Sequence, residues 1–143
     1  MGARTTSREA ALQMLFAFEA SGTSNAEQTI TSFWRETPGD PEGRAYADAM
    51  VRGVLGSLED VDRVISTAST NWRLPRMARV DRNVLRLGTW ELRESHDVPR
   101  AVVIDEAVEL AKRFGGEDSG AFVNGVLDRV AGDLGRSDAD RPR

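Results

Sequence analysis

The chain has 143 residues, a net charge of −4 and no cysteine. That length suits one domain able to bury about two-thirds of its unfolded surface. The absence of cysteine excludes disulfides and thiolate chemistry. No apolar run approaches the roughly 20 residues of a membrane span, and no signal-peptide core opens the chain, so a soluble, cytoplasmic protein is expected.

In chain order the pattern is helical throughout. Residues 1–5 are expected to be flexible. Thr6-Ser7-Arg8-Glu9 has the form of a capping box and opens a first helix to about Ala20, with Ala11, Met14, Leu15 and Phe18 on its apolar face. Ser24-Asn25-Ala26-Glu27 is a second capping box, for a helix to about Arg35. Asp40 caps a third helix that starts at Pro41, where the missing N–H needs no partner, and turns Tyr46, Met50, Val51 and Val54 inward. A fourth carries Val61, Val64, Ile65 and Ala68. Trp72 and Pro75 interrupt before a long helix from about Met77 to Ser95.

The stretch Val98–Val130 reads as two further helices. Pro99 suits the first turn of the sixth, with Val103, Ala107, Leu110 and Phe114 on one side and Asp105, Glu106 and Glu109 on the other. Gly115-Gly116 offers the left-handed backbone that ends a helix, and Glu117, Asp118 and Ser119 place acids and a cap at the start of the seventh. Its apolar stripe is Val123, Val126, Leu127, Val130 and Leu134. Residues 135–143 are expected to be a disordered tail, leaving 6–134 as a single all-helical domain. No strand alternation or internal repeat is visible.

Motifs for catalysis are missing. The sole histidine, His96, lies in a connector, and there is no phosphate loop, dinucleotide fingerprint or His/Cys metal spacing. The i,i+4 pair Asp105 and Glu109 reads as a solvated face rather than a metal site. The expectation is a non-enzymatic protein without cofactor or metal. Charge is unevenly spread: Asn71–Arg100 holds seven arginines against four acids, whereas Ala101–Leu134 holds three bases against seven acids. Arg79, Arg82, Arg86 and Arg93 form one stripe on the long helix, open to reading as a phosphate track, an acidic partner's face or plain solvation.

Three more positions stand out. Phe16 lies about 130° from the centre of the first helix's apolar face, by the ~100° per residue of a helix, so it is either covered by another helix or anchors a partner. Phe122 lies off the last helix's core stripe, in line with Arg129, as base stacking or a rim packing contact would have it. Glu91 falls within the Val80–Val84–Leu87 arc, where a carboxylate is costly without a partner, so a buried, paired acid is expected.

Three ordered segments carry a family resemblance. IDEAVELAKRFGGEDSGAFVNGVLD from Ile104, VDRNVLRLGTWEL at Val80–Leu92 and REAALQMLF at Arg8–Phe16 resemble the signatures of the NusB family of transcription antitermination factors. The resemblance implies an all-α fold of about seven helices in two packed bundles, helices one to three and four to seven. It also implies a protein that binds a single-stranded leader element of nascent ribosomal RNA. The implied partners are a small-subunit ribosomal protein, NusE, and the RNA polymerase antitermination complex; whether the chain forms a homodimer stays open. The implied RNA-binding residues are Arg4, Arg8, Gln13, Asp118, Phe122 and Asn124, to which the side-chain pattern adds Arg129. The implied contacts to the protein partner are Phe16 and Asp81. Where the family often has a run of arginines before helix one, this chain has Arg4-Thr5-Thr6-Ser7-Arg8, which predicts fewer released counterions and weaker RNA binding by the isolated chain. The competing readings are an RNA-binding module like that preceding ribosomal-RNA cytosine methyltransferases, and a helical protein–protein scaffold without RNA contact.

Overall fold

The computed structural model describes residues 2–38 and 41–137, and these form seven α-helices and no strand. They are α1 (Ala3–Ser21), α2 (Ala26–Glu36), α3 (Pro41–Gly56), α4 (Leu58–Ala68), α5 (Arg79–Glu94), α6 (Arg100–Phe114) and α7 (Ser119–Asp133), with a 3₁₀ turn at Leu74–Arg76. The chain divides into two compact units, Met1–Ser57 and Leu58–Arg143. The three-plus-four division of helices matches the one expected.

In the first unit α1 packs on α2 and α3. Ala11, Leu12, Met14 and Leu15 are buried with Ile30, Ala47, Met50, Val51 and Val54, as helical spacing requires. The start of α1 differs from expectation. The helix begins at Ala3, because the Gly2 carbonyl accepts from the Thr5 and Thr6 amides and Arg4 lies over Tyr46 of α3. Thr6 is therefore inside the helix, not its cap, and Ser7 is buried, its hydroxyl donating to the Gly43 carbonyl at 2.7 Å. At α2 the cap is Asn25, not Ser24: its side chain accepts from the Glu27 and Gln28 amides. Pro41 is the first residue of α3, and the Asp40 cap falls outside the described residues.

In the second unit α5 is the central element, packed on α4, α6 and α7. Val84, Leu85, Leu87 and Leu92 meet Val61 and Ile65 of α4, Val103 and Leu110 of α6, and Val123, Leu127 and Val130 of α7 in one apolar core. Gly88 permits the close approach of α5 to α7, since a Cβ there would lie 2.7 Å from Leu127 Cδ1. Glu91 is 1 % exposed and is not left without a partner, as its position predicted. Pro99 is the N-cap of α6, its carbonyl accepting from Val102 and Val103, rather than a residue of the first turn. Phe114, expected on the apolar face, lies at the exposed end of α6 under the Arg113 guanidinium.

Two features of the joints also depart from the sequence reading. Among the described residues only Gly22 and Gly135 have positive φ, so Gly115 and Gly116 do not end α6 in a left-handed turn. Gly115 is required for space: a Cβ there would come within 2.5 Å of Ser119 Oγ and 2.7 Å of the Ala111 carbonyl. The exit from α7 is held, too. Arg136 is buried and donates to the carbonyls of Leu92 (2.8 Å) and Val98 (2.7 Å), a cation made tolerable by paired carbonyl acceptors. Arg136, expected in the tail, is thus held against the second unit's core, and residues 138–143 lie outside the described ones.

Candidate nucleic-acid interface

In the second unit, three pieces of chain converge on one surface: the connector after α4, the first turn of α5, and the start of α7. The connector is pinned by its own backbone. Ser69 Oγ donates to the Trp72 carbonyl at 3.0 Å, Arg76 N to the Arg73 carbonyl and Met77 N to the Leu74 carbonyl. Met77 is buried beneath it, while Trp72 is left 54 % exposed. At the start of α7 the Gly116 amide donates to Ser119 Oγ at 3.0 Å, which leaves Asp118 in the N-cap position with its carboxylate unused for capping.

Two grooves lie side by side here. One, of about 460 Å³, is lined by Trp72, Arg76, Asp81, Asp118 and Phe122 among others. The second, of about 410 Å³, includes Ser69, Asn71, Trp72, Phe122 and Arg129. Asp81 Oδ1 is shielded from water and has no hydrogen-bond partner among the described residues, so this carboxylate keeps an unmet demand for a donor. Arg73, Arg76 and Arg129 are exposed and make no ion pair among the described residues, whereas Asp128 is held by Arg100 at 2.6 Å. The surface therefore offers aromatic faces, unpaired guanidinium groups and two acceptor carboxylates. Such a set suits unpaired bases on a phosphate backbone.

The structure groups the expected residues differently from the sequence reading. Asp81 and Asp118, assigned to different partners, line the same groove. Arg129 lies with Phe122 in the second groove, and Asn124 is exposed on α7 outside both linings. Periodicity does not single out Trp72, since an aromatic in an aperiodic connector has no helical face to judge it by. Its signal was its setting, between Asn71 and Arg73 and three residues before Pro75. The arginine stripe is not a continuous track: Arg86 is clamped to Asp62 through Nε–Oδ1 (2.9 Å) and Nη2–Oδ2 (3.0 Å).

In the first unit the expected residues lie along α1 but are unequally available. Arg4 is exposed, its guanidinium carbon 4.4 Å from the Tyr46 ring centre, whereas Arg8 is only 4 % exposed. Gln13 is exposed beside a cavity of about 330 Å³ that Glu9, Phe33 and Trp34 also line. Phe16 is half-buried and makes contacts within the chain, a middle case between core residue and open anchor. Among the described residues no histidine or acidic cluster could hold a metal ion, and no helix is long and apolar enough to cross a membrane.

The NusB family model matches residues 5–132, nearly all of the described chain. The chain belongs to the NusB family. It is 71 % identical over 141 residues to the transcription antitermination protein NusB of Sorangium cellulosum, covering 99 % of this chain and all of that one. To the NusB of Myxococcus xanthus it is 50 % identical, covering 92 % and 96 %. Among solved structures, NusB of T. maritima matches with a TM-score of 0.84 at 42 % identity, covering 91 % of each chain. A structure of antitermination factors NusB and NusE in complex with dsRNA matches with a TM-score of 0.83 at 27 % identity, covering 93 % of this chain and 98 % of that one. NusB-family membership makes this chain a regulatory factor rather than an enzyme.

Proposed function

We propose that this NusB-family chain is a cytoplasmic transcription antitermination factor. With the small-subunit ribosomal protein NusE it binds a single-stranded leader element of nascent ribosomal RNA, and the assembly helps RNA polymerase read through terminators. The observation that carries the RNA part is the surface on which Phe122, Trp72, Asp118 and Arg129 come together beside unpaired arginines, in a chain whose net charge is negative. Base stacking and local cations support RNA binding there without the broad basic patch that general nucleic-acid binding uses. On α1, Arg4 and Gln13 are the accessible candidates for RNA, while Phe16 and, in the second unit, Asp81 are the candidates for the protein partner. The likeness to a NusB–NusE complex with RNA supports the pairing. The naming of relatives along their whole lengths as antitermination proteins favours this reading over a methyltransferase module.

The test is a titration of a single-stranded ribosomal-RNA leader oligonucleotide with this chain, with and without the ribosomal protein. Binding should be weak alone, steep in salt only to the extent of a few phosphate contacts, and clearly tighter with the partner present. If the partner binds but RNA affinity does not rise, the scaffold reading takes its place.

A further inference from the structure

Trp72 is the most exposed large apolar side chain among the described residues, at 54 %. Its backbone is nevertheless fixed, by the Ser69 hydroxyl on its carbonyl and by the hydrogen-bonded 3₁₀ turn that follows. An exposed aromatic on an ordered loop bears its ordering cost at folding, not at binding, which favours affinity for whatever it meets. The contrast with Trp34 is informative: the Trp34 indole N–H donates to Asp48 Oδ1 at 2.7 Å, whereas the Trp72 indole N–H has no partner among the described residues.

Two side chains line both grooves of the candidate interface, and they are Trp72 and Phe122. Each groove has its own polar complement. Arg76, Asp81 and Asp118 serve the first, Ser69, Asn71 and Arg129 the second. Exposed Arg73 flanks Trp72 in sequence. A pair of aromatics shared by adjoining grooves, with cations at the rim, fits neighbouring unstacked bases better than one isolated base.

We propose that Trp72 is a second stacking surface for RNA, and that two unpaired bases are held at the Trp72–Phe122 ridge, one in each groove. This rests on the RNA-binding function proposed above. Phe122 supports one base and Trp72 the other, with the free indole N–H available to a phosphate or base edge. The bound RNA must therefore be single-stranded at these positions, because paired bases offer no free faces.

The experiment compares wild type, Trp72→Ala, Trp72→Phe and Phe122→Ala, each with the ribosomal protein present. Each is titrated with a single-stranded leader oligonucleotide and with versions carrying one abasic position at a time. Trp72→Ala should lower RNA affinity about 5- to 150-fold, with the salt slope unchanged. Trp72→Phe should recover most of the loss, and neither variant should change thermal melting, given how exposed the side chain is. One abasic position should weaken wild type yet leave Trp72→Ala unaffected, and a different position should behave so for Phe122→Ala. If both variants silence the same position, the aromatics enclose one base and the two-base arrangement is overturned. If Trp72→Ala binds like wild type while Phe122→Ala is weakened, Trp72 is no platform, although the RNA-binding function stands. Failure of the wild-type complex to bind the RNA overturns both.

Discussion

The Arg86 guanidinium meets the Asp62 carboxylate side-on, Nε to Oδ1 at 2.9 Å and Nη2 to Oδ2 at 3.0 Å, and so ties α5 to α4. Nη1 also donates to Asn83 Oδ1 at 3.2 Å. The pair is mostly shielded, with side-chain exposures of 13 % and 24 %. A charge-assisted, two-pronged contact in that setting is structural. Arg86→Ala should destabilise the protein by about 1.5–3 kcal/mol and leave RNA affinity within twofold. A large loss of RNA binding at unchanged stability, measured by denaturant melts and titration, would return Arg86 to the interface.

Arg8 and Arg4 should separate. Arg8 is buried near Tyr46 of α3, so Arg8→Ala should cost about 1–3 kcal/mol of stability through lost packing. Arg4 is exposed, and Arg4→Ala should cost no more than about 1 kcal/mol, the scale of an exposed cation–π contact. The same change should flatten the salt slope of RNA binding by about one unit. Salt-dependent titrations of both variants decide it.

Phe16 and its neighbour Leu15 should separate likewise. Leu15 is 2 % exposed, and Leu15→Ala should cost about 2–5 kcal/mol. Half-buried Phe16 should cost less on truncation, yet Phe16→Ala should weaken the complex with the ribosomal protein by about 1 kcal/mol or more. Calorimetric titration with an unchanged partner affinity would count against Phe16 as an anchor.

The joint that presents Asp118 and Phe122 depends on Gly115. A Cβ there would crowd Ser119 Oγ and the Ala111 carbonyl, so Gly115→Ala should cost about 1–3 kcal/mol and lower RNA affinity as the start of α7 shifts. Gly116, whose Cβ would reach Ser119 Oγ only at 4.0 Å, is the control and should accept alanine with little change in either measurement.

Glu27 and Arg52 give a pH signature in the first unit. The Arg52 guanidinium donates to both Glu27 oxygens at 2.7 Å, and this hydrogen bonding, with a smaller coulombic attraction, holds the Glu27 carboxyl below the usual value of 4.5. Because the folded-state value is the lowered one, the stabilisation is present above the unfolded value and is lost as pH falls through the folded one. Arg52→Ala should raise the Glu27 midpoint towards 4.5 in a carboxyl NMR titration; an unmoved midpoint would exclude the pair as its cause.

Much of this protein is local, and local features were legible in the sequence. Apolar spacing placed Leu15, Met50, Val84, Leu127 and their neighbours in the two cores, and Glu91 inside one of them. Three ordered signatures identified the family. What a single helix cannot specify is which of its polar groups its neighbours will consume. Arg8 and Arg4 sit one turn apart in the same helix, yet packing against α3 buries the first and leaves the second exposed. Arg86 and Arg129 are both arginines on helix surfaces, yet Asp62, 24 residues away in sequence, neutralises only the first. Trp72 became part of a surface because α4, α5 and α7 pack together, bringing a connector beside residues 50 positions further on. Periodicity and capping act over one or two turns, and so they determine elements and buried faces. The accessibility of a charge or an aromatic depends on contacts distant in sequence, and the tertiary structure alone decided those.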